Sequence, residues 1–208
     1  MNVALFDYGA GNLHSLGKAL EGAGAGVVVT ADWDEALALD ALVLPGVGAF
    51  GAAASALPPD RAPLRRALEH GLPCLGICLG MQLFFDESEE SAGAGIGFIP
   101  GRVRHLDTPV VPQMGWNDVA TVDDPLFRNV EGLVAYYANS YVCEPTGPAD
   151  AIAWSDYQGV RFAAAVRKTR TWGVQFHPEK SSEQGRRILA NWVALARRPE
   201  DPMRSGEP

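Results

Sequence analysis

Apolar and polar positions along the first eighty residues follow two periods in turn. Short apolar runs at residues 3–6, 27–30, 42–44 and 72–75 read as strands, since runs of that length bounded by turn residues suit strands buried on both faces. Between them, residues 13–20 and the stretches opening at Asp32 and Asp60 carry apolar positions at helical spacing. In the last of these Leu64, Ala67 and Leu68 face inward and Gly71 is the expected terminator. Asp32 and Glu35 have the spacing of a capping box. Regular alternation of strand and helix predicts an α/β fold with an open, mostly parallel twisted sheet flanked by helices. Between residues 96 and 166 the pattern breaks into short strands and turns, an antiparallel strand extension. A last strand at 172–176 and a helix carrying Ile188, Leu189, Trp192 and Val193 follow.

Chemistry enters where strands end. The run at 72–75 leads into Gly76-Ile77-Cys78-Leu79-Gly80 and then a helix-forming stretch at 81–85. A glycine on each side of a central nucleophile, between strand and helix, suits a nucleophile elbow: the glycines let the backbone turn sharply and hold Cys78 outward. The positive end of the following helix would favour the thiolate. A lone cysteine is ordinarily a small core residue, so its partners decide. The strand at 172–176 runs directly into His177-Pro178-Glu179. Pro178 biases the residue before it toward extended geometry, which sets the side chains of His177 and Glu179 on one side. Glu179 then holds the imidazole by one nitrogen while the other faces Cys78, a Cys-His-Glu triad.

The turn Pro45-Gly46-Val47-Gly48 after the strand at 42–44 exposes backbone amides. The N–H groups of Val47 and Leu79 are therefore the candidates for an oxyanion hole. Each motif also has a plain reading: a structural turn for Gly-x-Cys-x-Gly, a metal-ligand pair for His-x-Glu, a simple strand exit for Pro-Gly-Val-Gly. The four histidines, at 14, 70, 105 and 177, include no paired-histidine helix and meet no Cys-x-x-Cys clip, which argues against zinc. Gly9-Ala10-Gly11-Asn12 lacks the third glycine and the acidic residue of a dinucleotide site, so no cofactor and no metal is expected.

Taken together, Gly-Ile-Cys-Leu-Gly-Met-Gln and the distal Gln-Phe-His-Pro-Glu resemble the triad-type glutamine amidotransferases of class I. Residues 7–13, 44–50, 112–117 and 177–182 are similar in detail to one branch, the glutaminase subunits of imidazole glycerol phosphate synthase, and the likeness spans residues 2–196. That resemblance implies that Cys78 attacks L-glutamine, His177 protonates the departing ammonia, and water hydrolyses the glutamyl thioester. It further implies that Gly46, Gly48, Gln82, Glu90, Ser140 and Tyr141 bind the substrate. Asn12, Trp116, Tyr136 and Lys180 would meet a separate barrel-shaped cyclase subunit, which receives the ammonia for imidazole ring formation in histidine biosynthesis. Without the resemblance, Glu90 reads as part of a solvated acidic helix end, Gln82 as facing water, and Trp116 and Tyr136 as core aromatics. Two departures from the branch stand out: Gln113 and Asn139 occupy positions where histidine is common or expected.

Composition narrows the class. The chain has 208 residues, 47% hydrophobic and 20% charged, enough to bury one core, and we expect one domain over 1–198 with a disordered tail over 199–208. A net charge of −8 supplies no basic footprint, so no nucleic acid is expected as a partner. No basic segment precedes an apolar core at the start, and no apolar run is long enough to span a bilayer. Three cysteines without a secretion signal fit a reducing, cytoplasmic setting, with Cys74 and Cys143 structural. Three rival readings stay open: a glutaminase of another pathway such as pyridoxal phosphate synthesis, a non-catalytic regulatory subunit of the same fold, and a cysteine esterase.

Overall fold

The computed structural model describes residues 1–9, 13–46 and 48–198; Asn12, Val47 and the expected tail from 199 onward lie outside the described residues. The first half alternates as expected: β1 (Asn2–Phe6), α1 (Leu13–Gly22), β2 (Gly26–Thr30), α2 (Trp33–Ala38), β3 (Ala41–Leu44), α3 (Phe50–Ser55), α4 (Ala62–Glu69), β4 (Cys74–Ile77) and α5 (Leu79–Gln82). The second half is rich in strands: β5 (Glu87–Ser88), β6 (Gly101–His105), β7 (Gln113–Asp118), β8 (Ala120–Thr121), β9 (Val134–Asn139), β10 (Tyr141–Pro145), β11 (Ala151–Tyr157), β12 (Val160–Lys168) and β13 (Thr171–Val174). The helix α6 (Ser182–Ala196) closes the described elements.

An eight-stranded sheet runs in the order β2-β1-β3-β4-β13-β12-β11-β8. The five strands from β2 to β13 are mutually parallel, and β12, β11 and β8 extend them antiparallel. Two small sheets stand beside it, β10-β6-β5 and the ribbon β7-β9. The period-two geometry of a strand explains why its residues read as unbroken apolar runs. In β1, Val3 and Leu5 pack with Leu16 and Leu20 of α1 and with Ile188 and Trp192 of α6. Ala4 and Phe6 belong to the opposite core, with Ala36 of α2, Phe50 of α3 and Leu64 and Leu68 of α4. Both faces of the sheet are thus covered at β1, which leaves the strand ends there for ligands. In a sheet of this kind the crevice at the carboxyl ends of the strands is where ligands bind.

The helix signals were half right at α2. Asp32 caps it, accepting from the Asp34 and Glu35 N–H groups at 2.8 and 3.0 Å. Glu35 does not reach back to the Asp32 N–H, as a capping box requires; its carboxylate accepts from the Thr30 hydroxyl, whose oxygen accepts from the Asp32 N–H at 3.1 Å. A hydroxyl inserted at the end of β2 therefore relays the contact that the box would make directly.

Candidate active site

Cys78 sits between β4 and α5 with φ 51° and ψ −105°, a positive φ that a residue with a side chain rarely adopts and that costs on the order of 1–3 kcal/mol. The flanking glycines do not share that conformation, contrary to the expectation that they supply the bend. What they supply is proximity. A Cβ on Gly76 would lie 2.6 Å from the Gly80 carbonyl and from the Phe84 ring, and one on Gly80 would overlap the Leu44 carbonyl oxygen. A Cβ on Gly46 would overlap the Ile77 carbonyl oxygen in the same way. β3, β4 and α5 can approach this closely only without side chains at those points, and the packing holds Cys78 in its strained geometry.

The helix expected at 81–85 is shorter and earlier. α5 is one turn, Leu79–Gln82, because the carbonyls of Leu83, Phe84 and Phe85 turn away to accept from the N–H groups of Ile96, Phe98 and Gly97. One turn aligns few peptide dipoles, so the helix contributes little of the field expected of it, and what stands against the sulfur is side chains. Two are in place. His177, buried just beyond β13, shares the cavity with Cys78 on one side. On the other, its Nδ1 lies 2.9 Å from Glu179 Oε1. Burial alone pulls the imidazole down, but its hydrogen bonds to Cys78 and Glu179, with their charges, outweigh that and push it up to about 10. The second side chain is Gln175, fully buried, whose Nε2 donates to Cys78 Sγ at 3.4 Å.

These groups come from strand ends that are neighbours in the sheet: β3 supplies Gly46 and Gly48, β4 supplies Cys78, β13 supplies His177. They frame a cavity of about 310 Å³. Of the residues expected at the site, Gly46, Gly48, Cys78, Leu79, Gln82, Glu90, Ser140, Tyr141 and His177 line it, with Glu179 behind His177. The Leu79 N–H, first of its helical turn, has no acceptor among the described residues. Gln82 does not face water: it is buried, and its Nε2 donates to the Tyr141 carbonyl at 3.2 Å and to Gln175 Oε1 at 3.4 Å. Glu90 is not a solvated helix end either. The segment before it is the short strand β5, and Glu90 Oε2 accepts from the Phe50 N–H at 2.7 Å, tying the start of α3 to the cavity.

The residues expected to meet a partner divide. Lys180 lines the cavity, while Trp116 and Tyr136 stand on the ribbon β7-β9 as a T-shaped pair with centroids 6.1 Å apart. Lys180 joins the two regions, its Nζ lying 5.7 Å from the Tyr136 ring centre. Trp116 is 55% exposed beside Met114 at 67%, which rules out the core reading for that tryptophan. The ribbon is also bonded to the His177 segment. The His177 N–H donates to the Tyr136 carbonyl at 2.8 Å, and Ser181 Oγ accepts from the Tyr136 N–H at 3.0 Å while donating to the His177 carbonyl at 2.6 Å.

Sequence reasoning missed Gln175, although a glutamine in an otherwise apolar strand, two residues before a candidate base, was a usable signal. It also gave no place to Pro112, which lines the cavity, and treated Asn139 only as a departure. Asn139 lines the cavity too and donates from Nδ2 to the Tyr141 carbonyl at 3.0 Å. Cys74 and Cys143 are buried and free, with burial pushing both thiols up, so neither is poised to react. Among the described residues no group of three or more His, Cys, Asp or Glu could hold a metal ion.

The family model described as glutamine amidotransferase class-I matches residues 4–195. The chain belongs to the class-I glutamine amidotransferase family. Among related amidotransferase sequences, the "Imidazole glycerol phosphate synthase subunit HisH" of Synechococcus elongatus is 44% identical, covering 92% of each chain. The protein of the same name from Nocardia farcinica is 45% identical, covering 92% of this chain and 97% of its own. That from Methanothermobacter thermautotrophicus is 43% identical over 94% and 99%. Solved structures share the amidotransferase fold at low identity. One titled glutamine amidotransferase gives a TM-score of 0.74 at 16% identity, covering 93% of this chain and 98% of that one. The structure of PurLQS from Thermotoga maritima gives 0.69 at 19%, covering 93% and 97%.

Proposed function

We propose that this chain is the glutaminase subunit of an imidazole glycerol phosphate synthase, hydrolysing L-glutamine to L-glutamate and ammonia and passing the ammonia to a cyclase subunit. The observation that carries the reading is the convergence of Cys78, His177 and Glu179 on a cavity already lined by Gln82 and Glu90. Identity of 43–45% to proteins named HisH, over 92–99% of their length, supports the branch.

The geometry supports these steps. Glu90, whose Oε2 accepts from the Phe50 N–H, pairs with the substrate ammonium through Oε1, and Ser140 and Tyr141 border the amino-acid end. The Cys78 sulfur attacks the side-chain amide carbonyl, and the Leu79 N–H, with an amide from the turn at 46–48, receives the developing oxyanion. Protonated His177 gives its proton to the departing nitrogen, so ammonia leaves and a glutamyl thioester remains. Neutral His177 then takes a proton from water as the water attacks the thioester. Glutamate leaves and the sulfur is restored. Glu179 keeps Nε2 of His177 aimed at the sulfur by holding Nδ1.

The apolar patch of exposed Met114 and Trp116 beside half-buried Tyr136 is the surface we assign to the cyclase, with Lys180 between it and the cavity. Aromatic residues of this kind are the usual anchors of an interface. Among the described residues no helix is long and apolar enough to cross a membrane, and three reduced thiols suit the cytoplasm. The test is glutamate release from glutamine, measured for the chain alone and with the cyclase subunit and its nucleotide ligand. Release that depends on both supports the reading. Equal release without the cyclase points to another pathway, and no release under any condition points to a regulatory subunit.

A further inference from the structure

We propose that Gln175 is a donor built to hold the Cys78 sulfur in its anionic form, and that Gln82 fixes Gln175 the right way round for that task. The inference rests on the assignment of Cys78 as nucleophile and goes beyond the triad.

An amide side chain offers two donors at nitrogen and an acceptor at oxygen, so its orientation is decided by its neighbours. Gln82 Nε2 lies within reach of the Tyr141 carbonyl at 3.2 Å and of Gln175 at 3.4 Å. A backbone carbonyl can only accept, so nitrogen, not oxygen, must be the atom of Gln82 that faces it. That same nitrogen then presents a hydrogen to Gln175, which fixes Oε1 of Gln175 toward Gln82 and Nε2 toward Cys78 Sγ, 3.4 Å away. Turned the other way, Gln175 would set its oxygen against the sulfur and leave two donors opposed. The chain from Tyr141 through Gln82 and Gln175 to Cys78 therefore has one consistent hydrogen-bond pattern.

Gln175 itself cannot drift. It is fully buried, and its N–H donates to the Ala164 carbonyl at 2.8 Å, continuing the β12 pairing beyond β13. A buried amide aimed at sulfur is a preorganised dipole in a site shielded from water, where such a donor stabilises an anion more than it stabilises the neutral thiol. The other titratable groups around the sulfur are His177 with Glu179 behind it, Cys143 of β10, and Glu90, Tyr141 and Lys180 across the cavity. None of these replaces a fixed neutral donor. Both donors of Gln82 being spent, its Oε1 is the atom left for a ligand, so Gln82 would accept from the substrate and not donate to it.

The experiment is the pH profile of Cys78 alkylation by iodoacetamide in the intact chain, which requires neither glutamine nor the cyclase. Gln175→Met keeps the volume and removes the donor; Gln175→Glu keeps the shape and sets a carboxylate beside the sulfur. We expect the alkylation midpoint to rise by roughly one pH unit in the Met variant, about tenfold less labelling below both midpoints, and by more in the Glu variant. Gln82→Met should move it in the same direction by less. Each profile is taken on protein whose thermal melt is cooperative, and either Gln175 variant that folds decides the matter. An unchanged midpoint in a folded Gln175 variant overturns the proposal. Retention of glutaminase activity by Cys78→Ala would instead overturn the assignment of the nucleophile on which it rests.

Discussion

The elbow and the ribbon both border His177, which shares the cavity with Cys78 and donates its N–H to the Tyr136 carbonyl, yet they are built on opposite terms. At the elbow three backbone segments meet so closely that Gly46, Gly76 and Gly80 admit no side chain, and every neighbour is buried. On the ribbon a tryptophan and a methionine face outward, and a Cβ on Gly115, between them in sequence, would touch nothing. The elbow completes its packing within the chain, whereas the ribbon presents apolar surface that the described residues leave exposed. Catalytic geometry of this kind has to be rigid in advance, while a docking surface is paid for by its partner. Lys180, lining the cavity and resting on Tyr136, is where the two meet.

That contrast can be broken at either end. The largest effect is expected at the sulfur: Cys78→Ala should abolish glutamate release while leaving the melt nearly unchanged. Glu179→Gln should lower kcat by roughly a hundredfold or more, because the imidazole loses the carboxylate that orients and charges it; steady-state rates at saturating glutamine read this directly. Gly80→Ala should destabilise the chain by about 3 kcal/mol or more in urea unfolding, since backbone has to move to admit the methyl group. Gly115→Ala should cost only about 1–2 kcal/mol from its positive φ, and equal losses at the two glycines would erase the distinction drawn between the regions. Trp116→Ala should change stability by less than about 0.5 kcal/mol but weaken cyclase binding by about 2 kcal/mol in calorimetry.

The smallest effect concerns pH. Because the His177 pKa is raised in the folded chain, from 6.5 to about 10, its paired, protonated form contributes stability that is complete below pH 6.5 and lost as the pH rises through about 10. The difference in melting temperature between the wild-type chain and His177→Gln should therefore shrink steadily across that window. A gap that widened would reverse the sign of the pairing.

Much of this was legible in the sequence, for reasons that differ by residue. His177 and Glu179 are two apart in the chain, so their proximity is local; the extended geometry expected holds for His177 alone, and the 3-10 turn Pro178–Lys180 brings the carboxylate back to the imidazole. Cys78 was visible because strand, glycines and nucleophile are contiguous. The role of those glycines was not, since their close contacts run to Leu44 and Ile77 and depend on how strands stack. The true length of α5 was hidden for a related reason: residues 83–85 are apolar and buried in either conformation, and only the N–H groups of 96–98 decide where their carbonyls point. Glu90 reads as one of several acidic residues until its bond to Phe50, forty positions away, is known. Gln175 escaped because a single glutamine in a buried strand has no local signature of what it donates to.

The central claim is that Cys78 carries the substrate's acyl group during turnover. Peptide mapping of the chain quenched during turnover, with glutamine and the cyclase subunit with its nucleotide present, tests it most directly. The account predicts a glutamyl group on the peptide containing Cys78, absent when glutamine is omitted and absent in Cys78→Ala. Sustained glutamate release in Cys78→Ala would contradict it.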